Sequence, residues 1–373
     1  MERAALSGFL ARLGCAEQHG GFVFLCDPHW TTAERDEARR QFDAARALPA
    51  PDLGWLAIRT GGSGGGVKFA RHDAATLTAA VDGFARHFSL ARVNTVGVLP
   101  PWHISGLMAR LRCAATKGHY VDATWKDLER GLYPRLPDAE PWVISLVPTQ
   151  LQRLLASEPG VRWLGRFALV SVGGGPLWPG LAEAACERGL RLSASYGMTE
   201  TAAMVAAQRP EDFLAGDRSC GRALPHAQLT IDASGRIVIR GASLFRGYFP
   251  AVQTEGEWTT EDLGELDGGG RLHVRGRADE MIITGGRKVF PAEIEAALLA
   301  SGVVTDVVVL GVPDAEWGQR VVAFHPASSP APDFTRVLRQ LAPHQRPKAF
   351  VAIADWPRTA QGKVNRAALR QRL

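Results

Sequence analysis

The chain has 373 residues, of which 46% are hydrophobic and 22% charged, ordinary values for a globular protein with room for one large domain and a smaller one. Its net charge of +5 comes from scattered arginines, and no basic run with interleaved aromatic residues occurs, so nucleic-acid binding is not expected. No apolar run reaches the roughly 18 residues that a membrane span needs. The five cysteines are widely spaced and show no metal-ligand spacing, which indicates free thiols in a reducing compartment. We therefore expect a cytoplasmic protein.

The first half of the chain alternates helical and strand patterns. Residues 32–48 predict a helix, because Ala38, Phe42 and Ala45 recur at spacings of four and three. Residues 74–88 show a similar amphipathic pattern. Strands are predicted at residues 93–99, 142–147 and 167–172. Strands and helices that alternate in this way predict a mainly parallel sheet, and hence an α/β architecture.

The pattern of predicted elements changes after residue 223. Short strands with glycine turns, at residues 228–232, 235–240 and 271–274, predict a small β subdomain. A helix at residues 291–299 and strands near 303–310 and 321–324 then predict a terminal α+β unit. We expect a large N-terminal domain of residues 1–278 and a small, mobile C-terminal domain of residues 279–373.

A glycine-rich loop at residues 60–68 (TGGSGGGVK) is the first segment that suggests chemistry. Its backbone N–H groups can converge on an anion, and hydroxyl groups and a closing lysine add further donors. The spacing is not that of a Walker A loop. A flexible glycine linker is the alternative interpretation, but a strand-like segment precedes the loop and favours phosphate binding.

The segment at residues 195–201 (SYGMTET) follows an apolar-alternating strand. Polar groups would therefore stand at the carboxyl end of a strand, where open α/β sheets bind ligands. The ring of Tyr196 can stack on a base, the hydroxyl of Thr199 can meet a phosphate, and Glu200 can hold Mg²⁺. Taken alone, an ordinary strand-to-helix turn with Thr199 as N-cap is equally consistent. Six further segments in a fixed order favour the functional interpretation.

Together, seven collinear segments from about residue 55 to the C-terminus resemble the adenylate-forming superfamily of acyl- and aryl-CoA synthetases, luciferases and peptide-synthetase adenylation domains. Residues 196–201 (YGMTET) match the family signature at all six positions. The remaining segments are residues 60–68, 100–107 (PPWHISGL), 172–177 (VGGGPL), 259–264 (TTEDLG), 276–286 (GRADEMIITGG) and 357–364 (PRTAQGKV). One departure is Glu261, which stands where the family's ribose-binding segment has glycine. The resemblance implies an enzyme that uses ATP, Mg²⁺ and CoA to convert a small carboxylate into an acyl-AMP and then an acyl-CoA thioester.

The resemblance also implies roles for the phosphate-binding motifs. The phosphates that leave as pyrophosphate would be bound by Thr60, Ser63, Gly64 and Lys68. Thr199 would contact the α-phosphate during catalysis, and Glu200 would be the Mg²⁺ ligand.

The nucleoside would lie between the triple-glycine turn and the signature. Gly174 and Gly175 would form the adenine-binding turn, and Tyr196 would stack on the adenine. Asp262 would accept both ribose hydroxyls, with Arg277 assisting. Taken alone, Asp262 is a turn residue and Arg277 a surface ion-pair partner, so both roles depend on the resemblance.

Three more residues concern the acyl group and the motion of the domains. His103 would border the acyl pocket and gate thiol access, although a packed loop histidine explains the residues alone equally well. Lys363 would bridge the attacking carboxylate and the α-phosphate. Asp279 would be the hinge about which the C-terminal domain rotates before the thiol attacks.

Residues 285–295 (GGRKVFPAEIE) and the short stretch before the glycine loop most resemble the o-succinylbenzoate–CoA ligases of menaquinone and phylloquinone synthesis, with a reduced N-terminal subdomain. A substrate with two carboxylates needs polar or basic partners, for which Ser105, Arg110 and Arg112 are candidates. The alternatives are another aryl or acyl acid, with CoA or a carrier protein as acceptor, and an inactive relative that acts as a binding module. The joint presence of Lys68, Glu200, Asp262 and Lys363 argues against the inactive relative.

Overall fold

A computed structural model describes residues 2–60, 66–137, 140–252, 256–328, 330–358 and 364–372. The predicted site residues Ser63, Gly64 and Lys363 lie outside these ranges. The helices are α1 (Arg3–Ala11), α2 (Thr32–Ala47), α3 (Ala74–His87), α4 (Ile104–Ala115), α5 (Trp125–Glu129), α6 (Pro148–Leu155), α7 (Glu158–Leu164), α8 (Pro179–Glu187), α9 (Pro210–Leu214), α10 (Pro291–Ala300), α11 (Thr335–Gln340) and α12 (Arg366–Arg370).

The strands of the N-terminal part are β1 (Ala16–His19), β2 (Phe22–Leu25), β3 (Leu56–Arg59), β4 (Phe69–His72), β5 (Asn94–Gly97), β6 (Tyr120–Asp122), β7 (Trp142–Leu146), β8 (Leu169–Val172), β9 (Leu192–Met198), β10 (Ala203–Ala207) and β11 (Arg222–Ala223). Those that follow are β12 (Ala227–Ile231), β13 (Arg236–Gly241), β14 (Glu257–Leu266), β15 (Leu272–Arg277), β16 (Ile282–Thr284), β17 (Arg287–Val289), β18 (Val308–Asp314), β19 (Gly318–Pro326) and β20 (Ala349–Ile353).

The central sheet has seven strands in the order β11-β10-β9-β8-β7-β5-β6. Strands β6, β5, β7, β8 and β9 run parallel, and β10 and β11 are antiparallel to their neighbours. Helices cover both faces: α6, α7 and α8 pack on β7 and β8, whereas α3 and α4 share a second cluster. Parallel strands buried on both faces need the near-continuous apolar runs that the sequence shows. The predicted α/β architecture is confirmed.

A four-stranded sheet, β1-β2-β3-β4, precedes the central sheet along the chain. Helix α2 packs beside it and begins with a capping box, in which the Thr31 side chain accepts from the Glu34 amide. Its buried residues are Ala38, Phe42 and Ala45, the apolar stripe predicted from the sequence.

The second half of the chain forms two more sheets. An antiparallel sheet, β12-β13-β14-β15, is the predicted β subdomain. The C-terminal sheet has the order β17-β16-β19-β18, with β20 parallel to β19, and α10 and α11 pack on it. This arrangement is the expected terminal α+β unit.

Two local predictions differ from the structure. The strand expected near residues 303–310 begins only at Val308, because Val304 and Val307 lie in the irregular segment before it and enter the core from there. Residues 259–264, noted only for their motif, lie inside the ten-residue strand β14. Apolar residues mark the core but do not distinguish a strand from a buried turn.

Candidate active site

Four loops meet at one edge of the central sheet. Strands β5, β7, β8 and β9 are parallel, so their carboxyl ends share this edge. His103 is the N-cap of α4 after β5, and Gly174 and Gly175 follow β8. Thr199 and Glu200 follow β9. The fold therefore brings the predicted acyl, adenine and phosphate segments to one edge.

Backbone geometry explains two glycines of these loops. Gly174 has φ of 75°, a left-handed conformation that glycine adopts without a Cβ penalty. At Gly197 a Cβ would lie 2.0 Å from the carbonyl oxygen of Ala203, because β10 folds back against β9 at this point. The glycine that follows Tyr196 in the signature is thus required by the close approach of two strands.

The turn after β9 is a single 3-10 turn, Thr199–Thr201, and the chain then returns as β10. The predicted alternative, a strand-to-helix turn with Thr199 as N-cap, is not what forms. Ala202 and Ala203 have φ of 52° and 82°, so the backbone beside Glu200 is strained. His72 Nε2 donates a hydrogen bond to the Thr199 carbonyl oxygen over 2.7 Å and holds the turn against β4.

A tyrosine joins the glycine loop to this turn. The hydroxyl of Tyr248 donates to Glu200 Oε1 over 2.6 Å, and Lys68 Nζ lies 5.6 Å from the centre of the Tyr248 ring. Burial, and then the charge of Glu200, raises the pKa of Tyr248, so the hydroxyl keeps its proton and acts as donor. Thr60 closes the same hairpin, because its amide donates to the Lys68 carbonyl oxygen over 2.9 Å. Lys68 and Glu200, 132 residues apart in the sequence, therefore flank one aromatic ring.

The surroundings of Glu200 fit a magnesium ion shared with a substrate. Within the described ranges, no group of three or more His, Cys, Asp or Glu side chains could form a metal cage. Glu200 is 9% exposed, and Tyr248 engages one of its two oxygens. Mg²⁺ commonly binds through one or two carboxylates together with substrate phosphates and water, which suits a single glutamate near the segment predicted to bind phosphate.

Three residues predicted to bind the nucleoside, Tyr196, Asp262 and Arg277, form a second cluster. The hydroxyl of Tyr196 donates to Asp262 Oδ2 over 2.7 Å, and Arg277 Nη1 lies 3.6 Å from Asp262 Oδ1. Asp262 and Arg277 are direct partners in the β14–β15 register. Burial raises the pKa of Asp262, although Tyr196 and Arg277 act in the opposite direction. The Tyr196 ring packs with Leu229, Ile239 and other apolar residues of the β subdomain.

The predicted hinge residue is tied to the same cluster. Arg277 donates to both Asp279 oxygens, over 2.8 and 2.7 Å, and these bonds lower the pKa of Asp279. Its neighbour Glu280 lies 3.8 Å from Arg366 of α12, whose Nη2 also donates to both oxygens of the buried Glu295. Charged contacts therefore lie at the boundary of the two predicted domains, and the Arg277–Asp279 pair crosses it.

The prediction that Arg112 contacts a second carboxylate of the substrate is wrong. Its guanidinium is buried, lies 4.0 Å from the Phe84 ring centre, and has its pKa lowered to about 9 by burial. Phe84 packs with Val93 and Leu169, at the amino ends of the parallel strands, because α4 runs from the carboxyl edge back across the sheet. Arg110, nearer the start of α4, donates to the Leu99 carbonyl oxygen and to Asp122.

Sequence reasoning missed Tyr248 and His72. Tyr248 lies 48 residues from Glu200, and His72 lies 127 residues from Thr199. Neither belongs to one of the seven segments. No local pattern singles them out, since His72 lies between Arg71 and Asp73 and Tyr248 lies between a glycine and a phenylalanine.

The fold and this edge define a class of protein. A model of the AMP-binding enzyme family matches residues 16–249, and a model of the AMP-binding enzyme C-terminal domain matches residues 293–363. The first match alone covers more than half of the chain. The chain therefore belongs to the AMP-binding enzyme family.

Individual proteins and a solved structure are also similar to this chain. The chain is 31% identical over 284 residues to 2-succinylbenzoate–CoA ligase of Oceanobacillus iheyensis, covering 72% of this chain and 59% of that protein. It is 32% identical over 317 residues to indoleacetate–CoA ligase of Aromatoleum aromaticum, covering 78% and 62%. The structure of o-succinylbenzoate CoA synthetase from Bacillus subtilis in complex with the acyl-adenylate OSB-AMP aligns with a TM-score of 0.73 and 25% identity, over 88% of this chain and 73% of that one. The chain spans about three fifths of the length of these curated relatives.

Proposed function

We propose that this chain is an ATP-dependent carboxylate–CoA ligase that forms an acyl-AMP and then an acyl-CoA thioester, with o-succinylbenzoate as the acid. The observation that carries the proposal is the Lys68–Tyr248–Glu200 contact beside the Tyr196–Asp262 hydrogen bond at the carboxyl edge of the sheet. Phosphate groups and a ribose are the ligand parts that such clusters recognise. The similarity to 2-succinylbenzoate–CoA ligases supports the choice of acid.

In the first half-reaction, a carboxylate oxygen of the acid attacks the α-phosphorus of ATP and pyrophosphate leaves. Lys68 and the glycine loop would offset the charge of the leaving phosphates, and Thr199 would contact the α-phosphate. A Mg²⁺ ion held by Glu200 would add positive charge beside the phosphates. Lys363, which lies outside the described residues, would bridge the carboxylate and the α-phosphate.

The nucleoside would be held by residues that the sheet already positions. Gly174 and Gly175 would border the adenine, and Asp262 would accept the ribose hydroxyls with Arg277 nearby. The Tyr196 hydroxyl then orients the Asp262 carboxylate, while its ring lies in the adjoining apolar cluster. This positioning of Asp262 is a role for Tyr196 in addition to stacking.

In the second half-reaction, residues 279–373 would rotate about Asp279 as a domain, and the CoA thiol would attack the acyl carbon and release AMP. His103 would control the approach of the thiol, since it begins α4 at the same edge. The five cysteines are free thiols, which supports a cytoplasmic reaction. Within the described ranges, no helix has the length and apolar character needed to cross a membrane.

A second acid has support of its own. Indoleacetate–CoA ligase covers more of this chain, 78%, than the 2-succinylbenzoate–CoA ligase of Oceanobacillus, at 72%. Another aryl or acyl acid, loaded onto CoA or a carrier protein, is therefore the competing function.

ATP–pyrophosphate exchange with a panel of acids tests the proposal. We expect exchange with o-succinylbenzoate and little with indoleacetate or simple acyl acids. Thioester formation is then measured with CoA and with a carrier protein bearing phosphopantetheine. Exchange only with indoleacetate would replace the acid, and no exchange with any acid would refute the enzyme function.

A further inference from the structure

A basic cavity lies at the amino edge of the central sheet, opposite the loops described above. Its volume is about 350 Å³, and it is lined by His87, Arg209, Asp212, Arg222, Ala223 and Arg271. His87 ends α3, Arg209 precedes α9, and α9 packs at the start of β9. Because β9 runs parallel to β8, this end of the sheet lies a full strand length from Thr199 and Glu200.

The charge of the cavity is unbalanced. Three guanidinium groups face the single carboxylate of Asp212. Arg271 Nε forms an ion pair with Asp217 Oδ2 at 3.5 Å. Among the residues that the structure describes, neither Arg209 nor Arg222 comes within ion-pair distance of a carboxylate. Two exposed arginines of the cavity lining, Arg209 and Arg222, thus form no ion pair within the described residues.

A buried histidine is the second, independent observation. His87 is only 9% exposed. Its ring nitrogen Nε2 is buried and has no hydrogen-bond partner in the part of the chain that the structure describes. A buried polar atom without a partner destabilises the fold, so most buried polar atoms are met by a protein group, a ligand or water.

We propose that this basic cavity binds a small phosphate-bearing molecule, with Arg209 and Arg222 contacting the phosphate oxygens and His87 Nε2 completing the site. Arginine forks match phosphate geometry, and several cations can share its oxygens. The volume falls within the range of small-ligand pockets and exceeds what one phosphate needs. The site is separate from the ATP-binding edge, and the proposal does not rest on the proposed function.

The test uses a readout local to the cavity. Histidines are labelled with ¹⁵N, the His87 signal is assigned with a His87→Gln variant, and pyrophosphate or AMP is added to the full chain. We expect the His87 Nε2 resonance to shift with either ligand. Comparing the affinities of pyrophosphate and AMP shows whether the phosphate comes from an inorganic ion or from a nucleotide.

Three variants separate this site from the active site. Arg209→Gln with Arg222→Gln should weaken binding at least about tenfold, because each removes a charge-assisted hydrogen bond. Arg162→Gln, an exposed arginine on α7, should leave the response unchanged, and so should Lys68→Ala. If the paired variant does not fold, each single substitution gives the same measurement. The proposal is overturned if millimolar pyrophosphate and AMP leave His87 unshifted, if Lys68→Ala abolishes the shift, or if citrate shifts it equally.

Discussion

Tyr248 contacts two groups of opposite charge, and its ring and hydroxyl can be separated by mutation. The ring faces the Lys68 ammonium at 5.6 Å, a cation–π contact worth about 0.5–1 kcal/mol at an exposed site. The hydroxyl donates to Glu200 over 2.6 Å. Because the pKa of Tyr248 is raised, this donor persists throughout the usual assay range. The hydroxyl therefore fixes the proposed Mg²⁺ ligand, whereas the ring fixes the lysine.

Tyr248→Phe should keep the Lys68 contact and release Glu200. A hydrogen bond to a charged group contributes about 1.5–3 kcal/mol, so we expect ATP–pyrophosphate exchange to fall about tenfold or more. The Mg²⁺ concentration for half-maximal exchange should rise at the same time. Tyr133→Phe is the matched control, because the Tyr133 ring stacks on Trp163 in another cluster. Unchanged Mg²⁺ dependence in Tyr248→Phe would show that the hydroxyl does not position Glu200.

Asp262, the proposed ribose-binding residue, also has a cost in stability. Burial raises its pKa above 3.8, so the folded protein binds this proton more tightly than the unfolded chain. The free energy of unfolding should therefore fall as the pH rises through the folded-state pKa. Asp262→Asn removes this titration, and we expect the variant to be at least as stable as the wild type near pH 7, with no such gain at about pH 3. Melting temperatures of the variant and the wild type, measured across this pH range, show whether the substitution stabilises or destabilises the protein.

The same variant should bind ATP less well, because asparagine is a weaker acceptor for the ribose hydroxyls than a carboxylate. We expect the KM for ATP in the exchange assay to rise about tenfold. Lower stability at neutral pH with unchanged KM would make Asp262 a structural residue.

At the scale of elements, one hydrogen bond joins the Thr199–Thr201 turn to the four-stranded sheet β1-β2-β3-β4. His72 on β4 is fully buried, and burial lowers its pKa from 6.5 to about 4. A depressed pKa means that the folded state binds the proton less tightly than the unfolded chain. The contribution of neutral His72 to the free energy of unfolding is therefore complete above pH 6.5 and is lost as the pH falls towards 4. The loss approaches about 1.4 kcal/mol per pH unit within that window.

His72→Gln should remove this pH dependence while leaving an amide that can donate to the Thr199 carbonyl oxygen. We expect urea unfolding to show a shallower loss of stability between pH 6.5 and 4 in the variant than in the wild type. His119→Gln, which alters an exposed histidine, is the control and should keep the wild-type slope. Equal slopes in His72→Gln and the wild type would mean that His72 does not titrate in this range.

For the whole molecule, the proposed rotation has to break specific contacts. Ala296 and Leu299 of α10 pack against the cluster that contains Leu181 and Ala185 of α8. The Arg277–Asp279 pair spans the junction at 2.7 Å. A small apolar contact and a single ion pair are a modest barrier, as expected for an interface that opens in each catalytic cycle.

Asp279→Pro should trap the C-terminal domain on one side of the rotation, because proline fixes φ near −65° and removes the N–H donor. We expect the variant to keep ATP–pyrophosphate exchange and to lose thioester formation. Asp279→Ala is the matched control: it removes the ion pair with Arg277 but leaves the backbone free, so both half-reactions should persist. Retained thioester formation in Asp279→Pro at a normal melting temperature would rule out the hinge.

The sequence alone determined the α/β class, the order of the motifs and most of the elements. Apolar periodicity is local, so the stripe of Ala38, Phe42 and Ala45 and the run that became β8 could be identified without a fold. Ser63 and Lys363 remain predictions carried by their motifs. The tertiary structure alone decided which polar groups meet, Tyr248 with Glu200 and His72 with Thr199, and that His87 and Arg222 line one cavity. These contacts join residues far apart in the chain, and their distances depend on strand neighbours and side-chain direction, which no local pattern encodes.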